Sequence, residues 1–214
     1  MASNDAQPPA TPLLVIGTHN AKKGAELAEL LAPRSVRVAT LAEFPSAIEV
    51  VEDGQTFADN ARLKAVQQAK RLAQWVLADD SGIEVDALGG EPGVYSARFA
   101  AMAGAGEGDE ANNALVRQRL AGLPAAKRGA GYHCHITLAS PAGEVRAEAV
   151  GRCRGRLLDS PRGDGGFGYD PLFEVREYHR TFAEMGPAVK RALSHRSRAI
   201  RAILPAVVAA VRAE

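Results

Sequence analysis

Two neighbouring carboxylates, Asp79 and Asp80, follow directly on the apolar run Trp75-Val76-Leu77-Ala78 and precede Ser81-Gly82. A short apolar run of this kind reads as a buried strand, so the acids are expected at its end. In α/β sheets, ligands collect beyond the carboxyl ends of strands. Carboxylates placed there suit Mg²⁺, which takes one or two of them together with phosphate oxygens and water. Glu52, expected at the end of another strand, offers a further oxygen. A turn capped by one Asp and completed by Ser81-Gly82 would account for only one of the two acids. The pair therefore favours the metal.

Other stretches carry complementary groups. GTHNAKKG, residues 17–24, runs from a strand through a small polar turn into a helix with Lys22 and Lys23 in its first turn. The free N–H groups and dipole of a helix start attract phosphate. Two lysines there oppose the dipole unless an anion lies between them; an ordinary joint with solvated lysines is the alternative. The GxxxxGK[ST] pattern is absent, which excludes a Walker ATPase. Lys64 sits on a helix among Ala61, Leu63 and Ala65, either solvated or reaching toward phosphates, and Arg98 is equally open. GGFGYDP, 165–171, sets Phe167, Gly168 and Tyr169 beside Asp170. Such a loop can stack on a base and accept ring N–H groups, or be a turn whose aromatics enter the core. Lys190, His195 and Arg196 gather near the start of the last helix, facing an acceptor-rich ligand or solvent. His133 and His135 share one strand face without a third metal ligand nearby and read as packed or solvated. No GxSxG elbow or HExxH helix occurs, which removes two large hydrolase classes.

The elements that must position these groups are readable from periodicity and punctuation. A strand at 13–17 leads to a helix capped by Asn20, with Leu27, Leu30 and Leu31 on one face and Pro33 past its end. Residues 36–39 and 48–51 are weaker strand candidates. Thr56 and Asp59 frame a capping box for a helix with Phe57, Ala61, Ala65, Ala69 and Leu72 at helical spacing. Strand 75–78 follows, and Ile83, Val85 and Ala87 alternate as a separate short strand. Residues 100–108 have loop composition, and 109–120 form a helix ended by Gly122. Strands at 132–139 and 144–150 are joined by a Ser-Pro-Ala-Gly hairpin signal. The glycine-rich loop feeds strand 171–175, and Thr181 with Glu184 opens another capped helix. The last helix buries Ala199, Ile200, Ile203, Leu204, Val207, Val208 and Val211, with Pro205 expected to kink it. Strands and helices interleave, so the class is α/β with a mixed sheet.

Bulk properties narrow the partners. Across 214 residues, 26 lysines and arginines meet 25 acids. That balance argues against gripping a nucleic-acid polymer by charge. Cys134 and Cys153 form no CxxC pair and read as reduced thiols of a cytoplasmic protein. Residues 1–11 read as a disordered arm without signal-peptide character, ahead of a single domain at 12–214. No stretch is apolar enough to span a bilayer.

The order of motifs is itself informative: THNAKK (18–23), FADNARLKA (57–65), ADDSG (78–82), LGGEPGVYSARF (88–99), GGFGYDP (165–171) and LSHR (193–196). Together they closely resemble the non-canonical purine nucleoside triphosphate pyrophosphatase family, also called inosine triphosphate pyrophosphatase, over nearly the whole chain. The resemblance implies a Mg²⁺-dependent homodimer. It implies a long, curved mixed sheet flanked by helices, with the nucleotide in a cleft between two lobes. The family cleaves ITP, dITP and XTP to the monophosphate and pyrophosphate and so clears deaminated purines. Carried over by position, Thr18, His19, Asn20, Ala21, Lys22 and Lys23 meet the triphosphate, with catalytic Lys64 nearby. Asp80 matches the proton acceptor at Mg²⁺ and the attacking water, and Glu52 the second metal-side carboxylate. Asp79 is expected to hold metal-bound water or to orient Lys64. Ser81 matches a substrate contact, and Phe167, Gly168, Tyr169, Asp170, Lys190, His195 and Arg196 match the base pocket. The 1–11 arm, the 100–108 loop and the MGPAVK stretch depart from the pattern. A pyrophosphatase for other triphosphates and a nucleotide- or RNA-binding module are the competing functions.

Overall fold

The computed structural model describes residues 13–32 and 36–212; the expected N-terminal arm and Pro33 lie outside the described residues. In chain order the main elements are β1 (Leu13–Ile16), α1 (Ala21–Leu31), β2 (Arg37–Thr40), α2 (Phe57–Leu72), β3 (Trp75–Val85), α3 (Phe99–Met102) and α4 (Gly108–Arg119). They continue with β4 (Gly129–Ala139), β5 (Val145–Leu157), β6 (Phe173–Val175), β7 (Arg180–Thr181), α5 (Phe182–Leu193) and α6 (His195–Arg212). The strands form one curled, mixed sheet in the order β2-β1-β3-β4-β5-β6-β7, as expected for the class. β1 runs parallel to β2 and β3, and the pairs from β3 onward are antiparallel.

Several local expectations change. The two expected short strands merge into one, Trp75–Val85, with Asp79, Asp80, Ser81 and Gly82 inside it, while Ala87 falls in the 3-10 turn that follows. Pairing with β4 is unbroken from Val76 opposite Ala139 to Val85 opposite Ala130. That ladder overrides the turn propensity of Ser-Gly, because a continuous partner strand satisfies every backbone group on that side. Gly82 is the residue the geometry demands: a Cβ there would collide with Ser96 Oγ and the Gly93 carbonyl. Residues 48–51 form no strand. The Ile48 backbone is bonded to the Gln68 side chain of α2, and its carbonyl also meets His19 Nε2 at 2.9 Å. Side chains have taken the partners a ladder would need. The stretch 100–108 is not all loop, because α3 occupies its start. Asn112 Oδ1 accepts from Ala100 N at 2.8 Å and pins α3 against α4.

Packing follows strand alternation. On one face, Ala65 and Ala69 of α2 let the helix lie close on Val15, Val76, Ala78 and Ala139. On the other, Leu27 and Leu31 of α1 and Ile200, Ile203, Val207 and Val211 of α6 cover Leu14, Ile16, Leu77, Ile136 and Leu138. Each fully buried Leu or Ile contributes roughly 1.5–3 kcal/mol. A second core, under α4 and α5, gathers Ile83, Val85, Tyr132, Phe173, Phe182 and Leu115. α6 stays helical through Pro205, which lies on its exposed side. α5 is the broken helix: Gly186 has φ 74°, and Pro187 begins a new segment with its missing N–H in the tolerated first position.

Candidate active site

Because Asp79 and Asp80 are consecutive residues of one strand, their side chains leave opposite faces of the sheet. Asp80 faces α2. Lys64 Nζ donates to Asp80 Oδ1 at 3.1 Å and to Glu52 Oε2 at 2.9 Å. Asn60 Nδ2 donates to Asp80 Oδ2 at 3.3 Å, while Asn60 Oδ1 accepts from Gly54 N at 2.8 Å. Lys64 is thus buried and paired rather than solvated. Burial lowers its pKa, yet Asp80, Asp79 and Glu52 outweigh that and leave it raised. Burial raises the Asp80 carboxyl above its ordinary value, opposed by Lys64 and Lys23. Glu52 comes from the extended loop before α2 and not from a strand end; Arg98 Nη2 holds its carbonyl at 3.3 Å.

Asp79 faces α6. Arg196 Nε donates to Asp79 Oδ2 at 3.1 Å, Arg196 Nη1 to Glu26 Oε2 at 2.6 Å, and Arg196 Nη2 to Ser81 Oγ at 2.7 Å. The Ser81 hydroxyl in turn donates to Asp79 Oδ2 at 3.1 Å. Burial opposes ionisation of Asp79, but Lys23, Arg196 and Lys64 hold its carboxyl well below the usual range. The bonded partners of Asp79 are Arg196 and Ser81, and the pleat turns it to the face opposite Lys64.

Beside Arg196 lies a cavity lined by Asn20, Lys23, Ser81, Ser96, Asp109, Tyr132, Phe167, Lys190 and His195, among others. The half-buried Phe167 ring is one wall, with Lys190 Nζ 4.4 Å from its centroid. Asp170 Oδ2 accepts from Lys190 Nζ at 2.6 Å and from Phe167 N at 2.9 Å, and Oδ1 accepts from Tyr132 at 3.3 Å. Both Asp170 oxygens are engaged within the protein, so it shapes the loop that carries Phe167. Tyr169 is buried, and its hydroxyl donates to the Ser96 carbonyl at 2.8 Å. Gly168 is clamped by Asp109 Oδ2 on its N–H (2.8 Å) and Asn113 Nδ2 on its carbonyl (2.9 Å). His195 stacks on Tyr132 with centroids 4.6 Å apart and planes 5° apart. Burial pushes the His195 imidazole well below its ordinary pKa, and Arg196 and Lys190 add to this.

The turn after β1 supplies the remaining groups. Asn20 Oδ1 caps α1 by accepting from Lys23 N at 3.1 Å, and Thr18 Oγ1 accepts from Asn20 N at 3.2 Å. Ala21 is the first residue of α1. His19 turns to the Ile48 carbonyl, and Lys22 reaches Asp109 Oδ2 at 3.5 Å. Lys23 lines the cavity and is the leading counter-charge to Asp79, as well as opposing the rise at Asp80.

Hard oxygen ligands come from two carboxylates, Asp80 and Glu52, which share one ammonium. This set fits Mg²⁺, which needs few protein ligands. Among the described residues no three His, Cys, Asp or Glu side chains converge. His133 pairs with Glu84 at 3.2 Å and His135 with Glu148 at 3.1 Å.

Comparison with known proteins gives a match to the Ham1 family over residues 14–206. The chain belongs to the Ham1 family. The family resemblance drawn from the six motifs holds. A Ham1 protein from Coxiella burnetii superposes with a TM-score of 0.81 at 35% identity, covering 92% of this chain and 98% of that one. A structure from Mycobacterium abscessus, described as a nucleoside-triphosphatase / dITP/XTP pyrophosphatase, gives a TM-score of 0.71 at 41% identity, with 90% and 99% covered. A dITP/XTP pyrophosphatase of Rhodopirellula baltica is 51% identical over 199 residues, spanning 93% of this chain and 94% of the relative. That of Desulforamulus reducens is 50% identical over 188 residues, spanning 88% and 92%.

In this Ham1 chain, sequence reasoning missed Glu26, Asn60, Asp109 and Tyr132. Asn60 lies inside a quoted motif but has no charge to draw attention. Asp109 reads as an ordinary acid in the first turn of a helix. Glu26 meets a partner 170 residues away, and no local signal marks it.

Proposed function

We propose that this chain hydrolyses the non-canonical purine nucleoside triphosphates ITP, dITP and XTP to the monophosphate and pyrophosphate, using Mg²⁺. The names of the relatives support the substrate class. The observation that carries the reading is the division of labour across β3. One face bears a buried acid–lysine cluster, and the other abuts a cavity with an aromatic wall and cationic donors.

Asp80 and Glu52 would hold Mg²⁺, which when bound offsets phosphate charge and acidifies coordinated water. Lys23 and Lys64 neutralise the triphosphate and the charge that grows on the leaving pyrophosphate. Asp80 accepts the proton of the attacking water. The water oxygen bonds to the α-phosphorus, the bond from that phosphorus to the bridging oxygen breaks, and pyrophosphate leaves with the electron pair. Removing deaminated purines from the nucleotide pool is the physiological consequence.

Selectivity rests on the 6-position of the base. Hypoxanthine and xanthine present a carbonyl at C6 and an N1–H, and adenine presents the reverse. Donors on Arg196, Lys190 and His195 match the carbonyl, and ATP would set its 6-amino donor against them. Such mismatches give discrimination on the order of 10⁴. The deciding experiment measures pyrophosphate release from ITP, dITP, XTP, GTP, dTTP and ATP, with Mg²⁺ and with chelator. Preference for ATP or dTTP, or full activity in chelator, overturns the reading. We further infer a cytoplasmic homodimer. Both cysteines are free, which fits a reducing compartment, and no described helix is long and apolar enough to cross a membrane. Sedimentation of the purified chain tests the dimer.

A further inference from the structure

We propose that Asp79 is a positioning residue for base recognition, acting through Arg196, and has no part in water activation. The inference rests on the substrate reading above and assigns the two adjacent acids to different ends of one nucleotide.

Access is the first ground. Asp79 is 0% exposed and does not line the cavity, whereas Arg196 and Ser81 do. Its Oδ2 already accepts from Arg196 Nε and Ser81 Oγ, and from Cys134 Sγ at 3.8 Å. Its Oδ1 is buried with no hydrogen-bond partner. A carboxylate that holds a metal-bound water must present an oxygen to it, and both Asp79 oxygens are buried on the sheet face opposite Asp80 and Glu52.

The second ground is how Arg196 is held. A guanidinium is a planar fork on a long flexible stem, and it recognises a ligand edge only when its plane is fixed. Arg196 is fixed at all three nitrogens, by Asp79 at Nε, Glu26 at Nη1 and Ser81 at Nη2. The Ser81 hydroxyl bonds both Asp79 and Arg196, which closes a ring of contacts. The guanidinium carbon thereby stays 6.0 Å from the Phe167 ring centroid, beside the wall where a base would stack. Without Asp79, Nε loses its partner and the fork can turn about its stem. The third ground is the pleat. Asp80 joins Lys64, Glu52 and Asn60 on the α2 face, so one step along β3 separates chemistry from recognition.

Product nucleotides test this without turnover. Calorimetry gives the preference for IMP over AMP, and steady-state assays on ITP give kcat and KM. Asp79→Asn is expected to erode the IMP preference at least ~5-fold and raise KM, with kcat falling less than ~10-fold. Arg196→Ala erodes the preference similarly. Adding Asp79→Asn to Arg196→Ala changes it by less than ~2-fold, because the first loss removes the group through which the second acts. A purely structural role predicts multiplying effects instead. The proposal is overturned if the two losses multiply, or if Asp79→Asn abolishes kcat as Asp80→Asn does while the IMP preference stays intact. Should Asp79→Asn alone not fold, the neutral pair Asp79→Asn/Arg196→Gln decides. Recovery of the fold with the preference of Arg196→Gln supports the coupling, and no recovery overturns it. A wild-type chain that neither cleaves ITP nor prefers IMP sinks the substrate reading instead. The same cycle is then read on whichever triphosphate the panel identifies.

Discussion

Lys64 shows how much a single side chain depends on its surroundings. By sequence it is a lysine among alanines; in the fold its ammonium is buried and shared by Asp80 and Glu52. Removing one member of such a set leaves a buried charge without its partner. Asp80→Asn is expected to lower kcat by ~10³ or more, because proton acceptance and a carboxylate for Mg²⁺ are lost together, with KM at saturating Mg²⁺ changed only a few-fold because Lys23 and the base-side donors remain. Circular dichroism should show an intact fold, and near-normal turnover would refute the role. On the recognition face, His195→Ala and Arg196→Ala should each lower the ITP-to-ATP ratio of kcat/KM by ~10-fold or more. Unchanged ratios in both variants would show that the base lies elsewhere.

Elements place these side chains through a few close contacts. The first turn of α6 rests directly on β5 at Gly151. A Cβ there would strike the His195 carbonyl and come 2.5 Å from Ala199 N. Gly151→Ala should therefore push the start of α6 away from the cavity. The expected cost is about 1–3 kcal/mol of stability, read as a lowered denaturation midpoint. Loss of ITP preference should exceed the loss of kcat, since Lys64 and Asp80 belong to the other face. An unshifted midpoint with full selectivity would contradict the packing. The caps, by contrast, were legible before the fold. Asn20, Thr56 and Thr181 each accept the expected N–H. A cap is a contact within four residues, so local sequence contains both partners. Residues 48–51 and the split at 79–82 were misread because the groups that decide them, Gln68 and the β4 ladder, are distant in sequence.

At the scale of the whole molecule, acid stability has a nameable source. Glu148 of β5 accepts from Arg62 of α2 at 2.7 Å on both oxygens, and also meets His135 and Thr137 of β4. The Arg62 bonds, helped by His135 and Thr137 against partial desolvation, push its carboxyl down to about 2. A depressed carboxyl stabilises the fold above its unfolded value and loses that contribution as pH falls toward the folded one. The window is therefore from about pH 4.5 down to about 2. Glu148→Gln should lose on the order of 1 kcal/mol at neutral pH, a value discounted for solvent screening, with the gap to wild type closing across that window. Urea midpoints at several pH values check it. A gap that widens toward acid would have the wrong sign.

The sequence by itself determined the alternation of strands and helices, the caps and the ordered motifs that mark a Ham1 chain. These are local or purely sequential properties, and periodicity and motif order express them without knowledge of contacts. Only the tertiary structure decided which face each acid takes, because side-chain direction along β3 depends on an unbroken ladder with β4. It alone paired Asp79 with Arg196, 117 residues away, and gave Asp80 to Lys64. Buried charges choose partners by distance in space, and folding sets that distance where chain separation cannot.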